Sequence, residues 1–543
     1  MESTVVLQRG HQLHWLRPPA APLLRRWVVV APRSRVLACQ RQRPRPGTSV
    51  EGCFIAGVLT IQALGRRRGR RLARARRAAE LPVRIETRGV PVLLYAPLDD
   101  VEETARDQLV RLAESPMPVG HVAAMPDIHM GKGVAIGAVF ASDKYVCPNA
   151  VGVDIGCGMC AVPIEGLYKD DLSPEDLRRI QQLLKERIPT SFDSHGESLP
   201  WAKETLRDIS SECPPTAYLE KRIAKEAKIA KQLGTLGGGN HFLEVVYSES
   251  NQQVWCMLHS GSRNVGNTTA AHYDRKAGER GHLYKGVAGS LNYLDIRSRE
   301  GEGYLKDMLW CQAYARENRR SMLELMVDSV EQVTRRRAEM ARAVNAHHNF
   351  CQCEKCRVVD AQTGAVEERE LWVTRKGATS ARPGQYGIIP GSMGVGSYIV
   401  RGRGAQGSWQ SCSHGAGRRM SRTKAKNVIP QEDFVAAMEG IVCDTNAAVR
   451  DEAPQAYKDL GEVLRNQAEL VEVEHRLLPL VNVKGFEDKP FRGGGKRRPA
   501  KSKAKATAKG GGEEQAAAAS VRPKARKKRK RRGKSKAKGG GGE

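Results

Sequence analysis

The chain has 543 residues and a formal net charge of +29, but that charge is concentrated at its two ends. Residues 1–80 contain 17 Arg, no Lys and three acidic residues, residues 486–543 contain 21 basic and five acidic residues, and the 405 residues between them carry a net charge of −1. A uniformly basic protein is therefore excluded, and the 40% hydrophobic content excludes a wholly disordered chain.

The lengths of the apolar runs and the number of cysteines exclude further classes of protein. No apolar run reaches the ~18 residues that a membrane-spanning helix needs, and the longest candidate, residues 53–64, is shorter. The 13 cysteines are odd in number and lack a small-domain spacing, which predicts reduced thiols inside the cell. We therefore expect an intracellular protein with no membrane partner, located in the nucleus, the cytoplasm or an organelle.

Composition divides the chain into three segments. Residues 1–80 are rich in Arg, and three interpretations stay open for them: an organellar transit peptide, a disordered leader, or a wrongly chosen start codon. No Pro/Gly/Ser-rich linker divides residues 81–485, which predicts one large domain. Residues 486–543 alternate Lys/Arg, Ala and Gly, which predicts a disordered tail that serves nuclear import, contacts phosphate backbones, or has no specific partner.

Helices and strands are interspersed in the central segment. A helix is predicted after Ser173, because a proline follows at the first helical position and an aspartate completes a capping box. Further helices are predicted over residues 216–233 and 303–344, and the β-branched runs HFLEVVY and ELWVTRKG predict strands. Because these elements follow no regular βαβ order, we predict an α+β fold.

Several histidines have unusual surroundings. His241, His259 and His414 lie beside glycines and small polar residues, and His347 and His348 are adjacent in NAHHNF. One such histidine would more often be a satisfied structural residue. Glycine lets the backbone approach a ligand closely and exposes N–H groups to anions, so the whole set favours a functional site.

The segment VGVDIGCGMC adds two candidate metal ligands. Asp154 and Cys157 are three residues apart in a glycine-rich turn, so both can face one ion. Together with histidine, this mixed donor set suits Mn, Fe, Co or Zn. The alternative for Cys157 is a small buried hydrophobic residue, but the glycine on each side argues against buried packing.

Common nucleotide-binding signatures are missing. The chain has neither a G-x-x-x-x-G-K-[ST] loop nor a K-x-D-G nucleophile motif, and the glycine loop PGSMGVGSY is a weak phosphate-binding signal. If the protein activates a nucleotide covalently, another nucleophile is needed. A neutral imidazole can attack phosphorus near pH 7.

Ten ordered motifs spread over nearly all of residues 81–485 resemble the RtcB family of RNA-splicing ligases. They are MPDIHMGKG (125–133), VGVDIGCGM (151–159), GTLGGGNHFLEV (234–245), HSGSRNVGN (259–267), NAHHNF (345–350), RKGAT (375–379), PGSMGVGSY (390–398), SCSHGAGRRMSR (411–422), DEAPQAYKD (451–459) and VNVKG (481–485). The resemblance implies a single large RtcB-like catalytic domain.

The resemblance also implies an activity. The family joins RNA 3′-phosphate or 2′,3′-cyclic phosphate ends to 5′-hydroxyl ends, in tRNA splicing or RNA repair, with GTP and two Mn²⁺ ions and through a histidine–GMP intermediate. Expected partners are broken RNA, such as tRNA halves, and an archease-type activating protein. Two alternatives stay open: a repair enzyme that mainly opens cyclic phosphates or guanylylates ends, and a non-catalytic RNA-binding protein that acts through its basic tail. The second is disfavoured because every catalytic residue type is present.

Site residues carry over by position. The nucleophile would be His414. The Mn²⁺ ligands would be Asp154, Cys157 as the bridging ligand, His241, His259 and His348, with His348 preferred to His347 because it precedes Asn349. The guanosine and phosphate contacts would be Asn240, Glu244, Ser392, Ser397, Gly415, Tyr457 and Lys484. Arg263 and Arg418 would hold RNA or nucleotide phosphates, and Asp127 matches a family aspartate near the site whose role stays open.

One segment departs from the family pattern. Cys351, Cys353 and Cys356 follow NAHHNF directly and are either a metal half-site or spare thiols. No fourth ligand is evident nearby, so spare thiols are favoured.

Overall fold

The computed structural model describes residues 81–286, 289–359 and 364–485. The leader and tail predicted over residues 1–80 and 486–543 lie outside the described residues. Within them, mixed sheets and helices form one large unit, which confirms the predicted α+β class. None of the helices in these ranges combines the length and the apolar character of a membrane span.

The strands are short to medium in length and occur along the whole described chain. In chain order they are β1 (Val83–Ile85), β2 (Val92–Leu94), β3 (Val119–His129), β4 (Ile136–Ser142), β5 (Tyr145–Val146), β6 (Gly158–Tyr168), β7 (Phe242–Ser248), β8 (Gln253–Ser260), β9 (His282–Gly286), β10 (Gly289–Asp295), β11 (Val344–His347), β12 (Asn349–Val359), β13 (Val366–Lys376), β14 (Ala378–Ser380), β15 (Tyr386–Pro390), β16 (Ser397–Gly402), β17 (Ser411–Ser413) and β18 (Val471–Lys484). The predicted strands HFLEVVY and ELWVTRKG correspond to β7 and β13, as expected.

Most of the helices lie between β6 and β11 or after β17, and two lie before β6. They are α1 (Glu103–Glu114), α2 (Pro148–Val151), α3 (Pro174–Arg187), α4 (Ala202–Glu212), α5 (Ala217–Lys225), α6 (Ala227–Lys231), α7 (Arg263–Arg280), α8 (Arg299–Thr334), α9 (Arg422–Val428), α10 (Gln431–Ala437) and α11 (Leu460–Arg465). Single turns of 3₁₀ helix lie at Leu98–Asp100, Lys169–Asp171, Met340–Arg342, Gln406–Ser408, Arg450–Glu452 and Pro454–Ala456.

Two large sheets organise the described chain. The first has the order β1-β2-β3-β4-β13-β12 and is antiparallel except for the parallel pair β2 and β3. The second has the order β11-β6-β8-β7-β18-β16-β15 and is antiparallel throughout. The smaller sheets are β5-β10-β9 and the pair β14-β17. Because β11 and β12 are consecutive in the chain but belong to different large sheets, the single residue between them, His348, joins the two.

The long helix α8 supports the second sheet. Its residues Met322, Leu323 and Met326 share a buried core with Val162 of β6 and Leu258 of β8. Burying these apolar side chains stabilises the pairing of helix and sheet by roughly 1.5–3 kcal/mol for each fully buried residue. The helix therefore lies directly behind the sheet end from which the candidate ligands project.

The helix predicted after Ser173 is confirmed in detail. The Ser173 hydroxyl accepts a hydrogen bond from the Asp176 backbone N–H at 3.2 Å, and the Asp176 carboxylate accepts one from the Ser173 backbone N–H at 3.0 Å. Pro174 occupies the first helical position. This reciprocal capping box satisfies two N–H groups that would otherwise lack partners.

The other two predicted helices were wrong in extent. Residues 216–233 form two helices, because the backbone of Glu226 leaves the helical region with φ −98° and ψ 82°. In the second of these helices the Ile229 carbonyl accepts a hydrogen bond from the Tyr314 hydroxyl at 2.8 Å. The helix predicted over residues 303–344 begins earlier and ends at Thr334, where Arg335 turns left-handed with φ 61°. Among the residues that follow, Ala338 bridges to Ile164 of β6 and Val344 begins β11, which also pairs with β6, so tertiary pairing overrides their helical propensity.

Candidate active site

The predicted metal ligands meet at one end of the second sheet. Cys157 directly precedes β6, His241 directly precedes β7, and His259 lies near the end of β8, which pairs with both strands. His348 directly follows β11, whose last residue lies opposite Gly158 in the register. Antiparallel pairing thus brings together side chains that are far apart in sequence.

The turn from Asp154 to Cys157 depends on Gly156. The Cys157 N–H donates to the Asp154 carbonyl at 3.1 Å, and Gly156 has φ +73°. A Cβ on Gly156 would lie 2.8 Å from the Cβ of Ala315 on α8, so only glycine lets the turn pack this closely. Contrary to the expectation from its flanking glycines, Cys157 is buried, with 3% of its surface exposed. The glycines permit burial because they lack the side chains that would hold the turn away from α8.

Donor atoms converge around Cys157. Its Sγ lies 3.4 Å from His241 Nε2 and 3.2 Å from His259 Nε2. The Nε2 atoms of His259 and His348 are 3.2 Å apart, and the Asp154 Oδ2 lies 3.0 Å from His241 Nε2. All five predicted metal ligands are therefore adjacent, and two facing Nε2 atoms leave room for a shared cation rather than for a strong mutual hydrogen bond.

Backbone carbonyls fix two of the imidazole rings. His241 Nδ1 donates to the Leu236 carbonyl at 2.8 Å, and His259 Nδ1 donates to the Asn240 carbonyl at 3.1 Å. The His259 ring, which burial keeps neutral, therefore presents an unprotonated Nε2 to the cluster, as in metal sites where a second group orients the ligand, and the His241 Nε2 faces the Asp154 carboxylate. His348 Nδ1 is buried without a hydrogen-bond partner among the described residues, and such a group normally costs about 1–3 kcal/mol.

The protonation states also suit a metal. Burial holds the pKa of His259 and of His348 well below the usual range, so both rings are neutral. Burial and the neighbouring Asp154 charge raise the pKa of Cys157 well above normal, so a thiolate there requires a cation. Burial alone would raise the pKa of Asp154, but the His241 hydrogen bond and charge outweigh it and lower that pKa. One sulfur, three imidazoles and one carboxylate fit divalent first-row ions.

His414 stands beside this cluster and is oriented by Asp127. The fully buried Asp127 Oδ2 accepts hydrogen bonds from His414 Nδ1 at 2.6 Å and from the backbone N–H groups of His414 and Gly415 at 3.1 and 3.2 Å. The Nε2 atom of His414 is thus the ring nitrogen that the Asp127 contact leaves available as a nucleophile. Its ring centroid lies 4.8 Å from that of His348. The aspartate whose role the sequence left open therefore lies where it can orient the ring.

His347 and His348 diverge despite being neighbours. His347 Nδ1 lies 3.0 Å from the Arg319 guanidinium, behind the cluster. Arg319 also donates to the carbonyls of Gly156 at 2.7 Å and Ser260 at 3.1 Å, so it joins three segments that carry site residues. This fully buried arginine was not among the site residues predicted from the sequence. The available signal was its spacing, because it lies three residues before Met322 on the apolar side of α8.

A cavity of about 920 Å³ opens beside the cluster. Asp154, His241, Asn240 and Lys484 contribute to its walls. It therefore connects two of the predicted metal ligands with two of the predicted nucleotide contacts, and its volume suits a nucleotide.

Glu452 organises one wall of this cavity. Its carboxylate lies 2.9 Å from Lys484 Nζ and accepts from the Tyr457 hydroxyl at 2.7 Å and from Arg422 at 2.6 Å. Burial opposes ionisation, but Lys484 and Arg422 lower the pKa of Glu452 to about 2. The carboxylate is thus a permanent anion that fixes Tyr457 and Lys484. The sequence analysis missed Glu452, although it lies within the DEAPQAYKD motif.

Glu244 lies next to the same wall. It is 4% exposed, accepts a hydrogen bond from Asn482 Nδ2 at 2.7 Å, and has a pKa that burial raises to about 7. A buried carboxylate with spare acceptor capacity suits a ligand that carries N–H donors.

The remaining predicted nucleotide contacts lie on the His414 side. Ser392 lies in the loop between β15 and β16, and its buried hydroxyl has no partner among the described residues. Ser397, which begins β16, is also buried. The Ala416 N–H donates to the Pro390 carbonyl at 3.0 Å, which holds Gly415 against this loop.

The two predicted phosphate-binding arginines differ in their surroundings. Arg263 lines the cavity, donating from Nε to Thr235 Oγ1 at 3.0 Å and from Nη2 to the Ser191 carbonyl at 2.8 Å. The Arg418 guanidinium instead donates to the Tyr457 hydroxyl at 2.9 Å and the Asp451 carbonyl at 2.7 Å. Arg263 thus reaches the cavity, whereas Arg418 is occupied with positioning Tyr457.

The three cysteines of β12 do not converge. Cys351 and Cys356 are buried in two different apolar clusters, and Cys353 is exposed. Cys351 and Cys356 are five residues apart, so the alternation of side chains along a strand places them on opposite faces of β12. This arrangement agrees with the favoured interpretation of these cysteines as spare thiols.

Replacing Cys157 with serine should weaken Mn²⁺ binding at least about tenfold, because a hydroxyl is a poorer anionic ligand than a thiolate. Titration calorimetry on the folded variant gives the affinity. The matched control is Cys160→Ser, since Cys160 is also buried on β6 but lies in an apolar cluster. Equal Mn²⁺ affinities for the Cys157 variant and the parent would make Cys157 a packing residue.

Comparisons with known proteins agree with this geometry. The sequence model of a family described as tRNA-splicing ligase RtcB matches residues 108–485. The chain is similar to the RNA-splicing ligase RtcB of Escherichia coli (strain K12), with 40% identity over 427 residues that cover 74% of this chain and 97% of the relative. It is also similar to the tRNA-splicing ligase RtcB of Nanoarchaeum equitans, with 30% identity over 73% of this chain and 95% of the relative. The RNA-splicing ligase RtcB of Mycobacterium tuberculosis is 30% identical over 70% of this chain and 100% of the relative.

Proposed function

The chain belongs to the RtcB family of RNA ligases, and we propose that it joins RNA 3′-phosphate or 2′,3′-cyclic phosphate ends to 5′-hydroxyl ends with GTP and Mn²⁺. The observation that carries this proposal is the His414 ring, which a buried carboxylate orients 4.8 Å from a ring of the cysteine–histidine cluster. GTP acts as a substrate of the reaction, and a cyclic phosphate is first opened to the 3′-monophosphate.

His414 supplies the nucleophile. Its Nε2 attacks the α-phosphorus of GTP, so that an N–P bond forms as the bond to pyrophosphate breaks. Asp127 holds the Nδ1 proton and stabilises the positive charge that develops on the ring. An oxygen of the RNA 3′-phosphate then attacks the same phosphorus and releases His414. Finally the 5′-hydroxyl attacks the activated RNA phosphate, loses its proton and displaces GMP.

The metal site follows from the donor set. Asp154, Cys157, His241, His259 and His348 would hold two Mn²⁺ ions. When bound, the ions neutralise charge on the reacting phosphates. The neutral imidazoles and the orientation of His241 and His259 by backbone carbonyls support this assignment. Because thiolate and imidazole also favour Zn²⁺, we expect Zn²⁺ to compete with Mn²⁺ and inhibit.

Glu244 is proposed to recognise the guanine base. Guanine presents an N–H and an amino group along one edge, and the buried Glu244 carboxylate can accept from both. Tyr457 and Lys484, which Glu452 fixes, would contact the rest of the nucleotide. Ser392, Ser397, Gly415 and Asn240 complete the proposed set of contacts.

The reaction with His414 should label the protein when the GTP carries a radioactive α-phosphate. Glu244→Gln should raise the GTP concentration needed for half-maximal labelling of the protein by roughly 10- to 100-fold, because charge-assisted hydrogen bonds contribute about 1.5–3 kcal/mol. The maximal extent of labelling should change little. The control is Glu249→Gln, which removes an exposed carboxylate near the far end of β7. A GTP dependence identical to that of the parent would exclude Glu244 from base recognition.

The overall proposal is tested by incubating the full chain with α-³²P-GTP, Mn²⁺ and broken tRNA halves. We expect a labelled protein and then a joined RNA. Opening of cyclic phosphates or guanylylation of ends without joining would favour the repair enzyme instead. We also propose that an archease-type protein activates turnover, and its addition to the same assay tests this.

Residues 81–485 are proposed to form the catalytic domain, with the two basic segments adding RNA affinity and determining the compartment. Gly485, the last residue before the basic segment, lines the active-site cavity. A protein comprising residues 81–485 should keep labelling and ligation but bind RNA with a shallower salt dependence, since each single-stranded phosphate contact contributes a slope of roughly −0.7 in log K against log salt.

A salt series with both proteins measures this difference. Identical slopes would show that the basic segments do not contact RNA. A folded but inactive 81–485 protein would show that they belong to the catalytic machinery.

A further inference from the structure

An exposed phenylalanine lines the active-site cavity. Phe192 has 64% of its surface open to water, the largest fraction among the exposed large hydrophobic side chains of the described residues. It forms part of the same cavity wall as Asp154 and His241. A large aromatic ring gains free energy by leaving water, so an exposed ring beside reactive groups is well suited to contact a ligand.

The backbone that carries Phe192 is attached to the site. The Ser191 N–H donates to the Gly237 carbonyl at 2.8 Å, and the Arg263 guanidinium donates to the Ser191 carbonyl at 2.8 Å. Gly237 lies four residues before the metal-ligand candidate His241. The position of the ring is therefore coupled to the loop that orients the cluster, rather than to an independent surface loop.

The cavity that Phe192 lines is rich in cations. Lys228, Arg263 and Lys426 line the same cavity. Proteins that hold single-stranded nucleic acid combine cations that follow the backbone with aromatic rings on which bases stack. The combination here has both parts, in a cavity that the candidate metal ligands Asp154 and His241 also line.

We propose that Phe192 is a stacking platform for the base of a terminal nucleotide of the RNA substrate. Stacking would position the end to be joined regardless of base identity, because every base has an aromatic face. The inference rests on the proposed ligase function. An RNA base fits better than the guanine of GTP, because the proposed GTP contacts Glu244 and Lys484 are about 5% exposed or less, whereas Phe192 is open to solvent, as a continuing strand requires.

The test separates the transfer of GMP from GTP to the protein from the joining of the RNA ends. Phe192→Ala should raise the KM for RNA in ligation by roughly 5- to 100-fold while leaving labelling by GTP unchanged. Phe192→Trp should retain a low KM, and Phe192→Leu should behave like alanine, because stacking needs a ring and not merely an apolar group. The matched control is Tyr168→Ala, because Tyr168 is an exposed aromatic residue at the end of β6 that lies away from Cys157. This variant should leave the KM for RNA unchanged.

Direct binding makes the outcome independent of catalysis. Fluorescence anisotropy with a labelled 3′-phosphate RNA should show weaker binding to Phe192→Ala, and removing the terminal base should weaken binding to the parent but not further to the variant. Unchanged RNA affinity, or a loss confined to GTP labelling, would overturn the proposal. If the parent protein fails to react with GTP, the proposed ligase function fails, while the anisotropy result still decides the role of Phe192.

Discussion

Replacing His414 with alanine should abolish the covalent transfer of GMP to the protein. The imidazole is the nucleophile in the proposed reaction, and its Nε2 is the ring nitrogen left free by the Asp127 contact. No other ring nitrogen has both this orientation and a position beside the cluster among the residues proposed here. Incubation with α-³²P-GTP and Mn²⁺, followed by denaturing electrophoresis, measures the label directly.

The control for this result is His272→Ala. His272 stacks on Tyr218 at the surface and belongs to none of the site segments, so its removal should leave labelling at the parental level. Mn²⁺ binding and thermal unfolding of the His414 variant should stay close to the parental values, because His414 is not among the proposed metal ligands. Label that persists on a folded His414→Ala protein would place the nucleophile elsewhere.

The features that the sequence predicted correctly are those that depend on residues close together in the chain. Asp154 and Cys157 share one glycine turn, and their spacing alone predicted that both side chains face one point. The same holds for the capped helix after Ser173, since the cap, the proline and the aspartate are within four residues. Local backbone geometry determines these features, and few long-range contacts can change them.

Contacts between distant segments could not be predicted from residue patterns. Asp127 and His414 are 287 residues apart and meet only because the end of β17 lies against β3. The contacts that give Glu452 and Arg319 their roles also join segments that are distant in the sequence. Family resemblance supplied residue roles, but it left the role of Asp127 open until the orientation of its carboxylate was known.

Local preference was misleading where tertiary packing overrides it. The glycines around Cys157 indicated an unburied side chain, but they allow the turn to pack tightly against α8. The chain after Thr334 retains helix-forming residues, but it bridges to β6 at Ala338 and enters β11 at Val344. The end of β11 places His348 beside His259. The site geometry therefore depends on long-range pairing with β6, which helical propensity does not reveal.

Asp127→Asn should lower the rate of GMP transfer to the protein by roughly 10²- to 10⁴-fold, by analogy with aspartates that orient catalytic histidines elsewhere. One carboxylate oxygen accepts from His414 Nδ1 and from two backbone N–H groups, so an amide nitrogen in that place would oppose three donors. The amide oxygen must therefore occupy the position, and the contact keeps its geometry but loses the negative charge that stabilises the ring as it attacks.

Because Asp127 contacts His414 and not the proposed nucleotide contacts, the loss should appear in the maximal labelling rate and not in the GTP concentration for half-maximal rate. Single-turnover labelling across a GTP series separates the two quantities. Asp143→Asn, which alters an exposed ion pair with Arg369, is the matched control and should match the parent. A folded Asp127→Asn protein with the parental rate would mean that the aspartate only supports the backbone at Gly415. A rise in the half-maximal GTP concentration alone would instead place the carboxylate in nucleotide binding, because a group that stabilises only the attacking ring affects the step after GTP is bound.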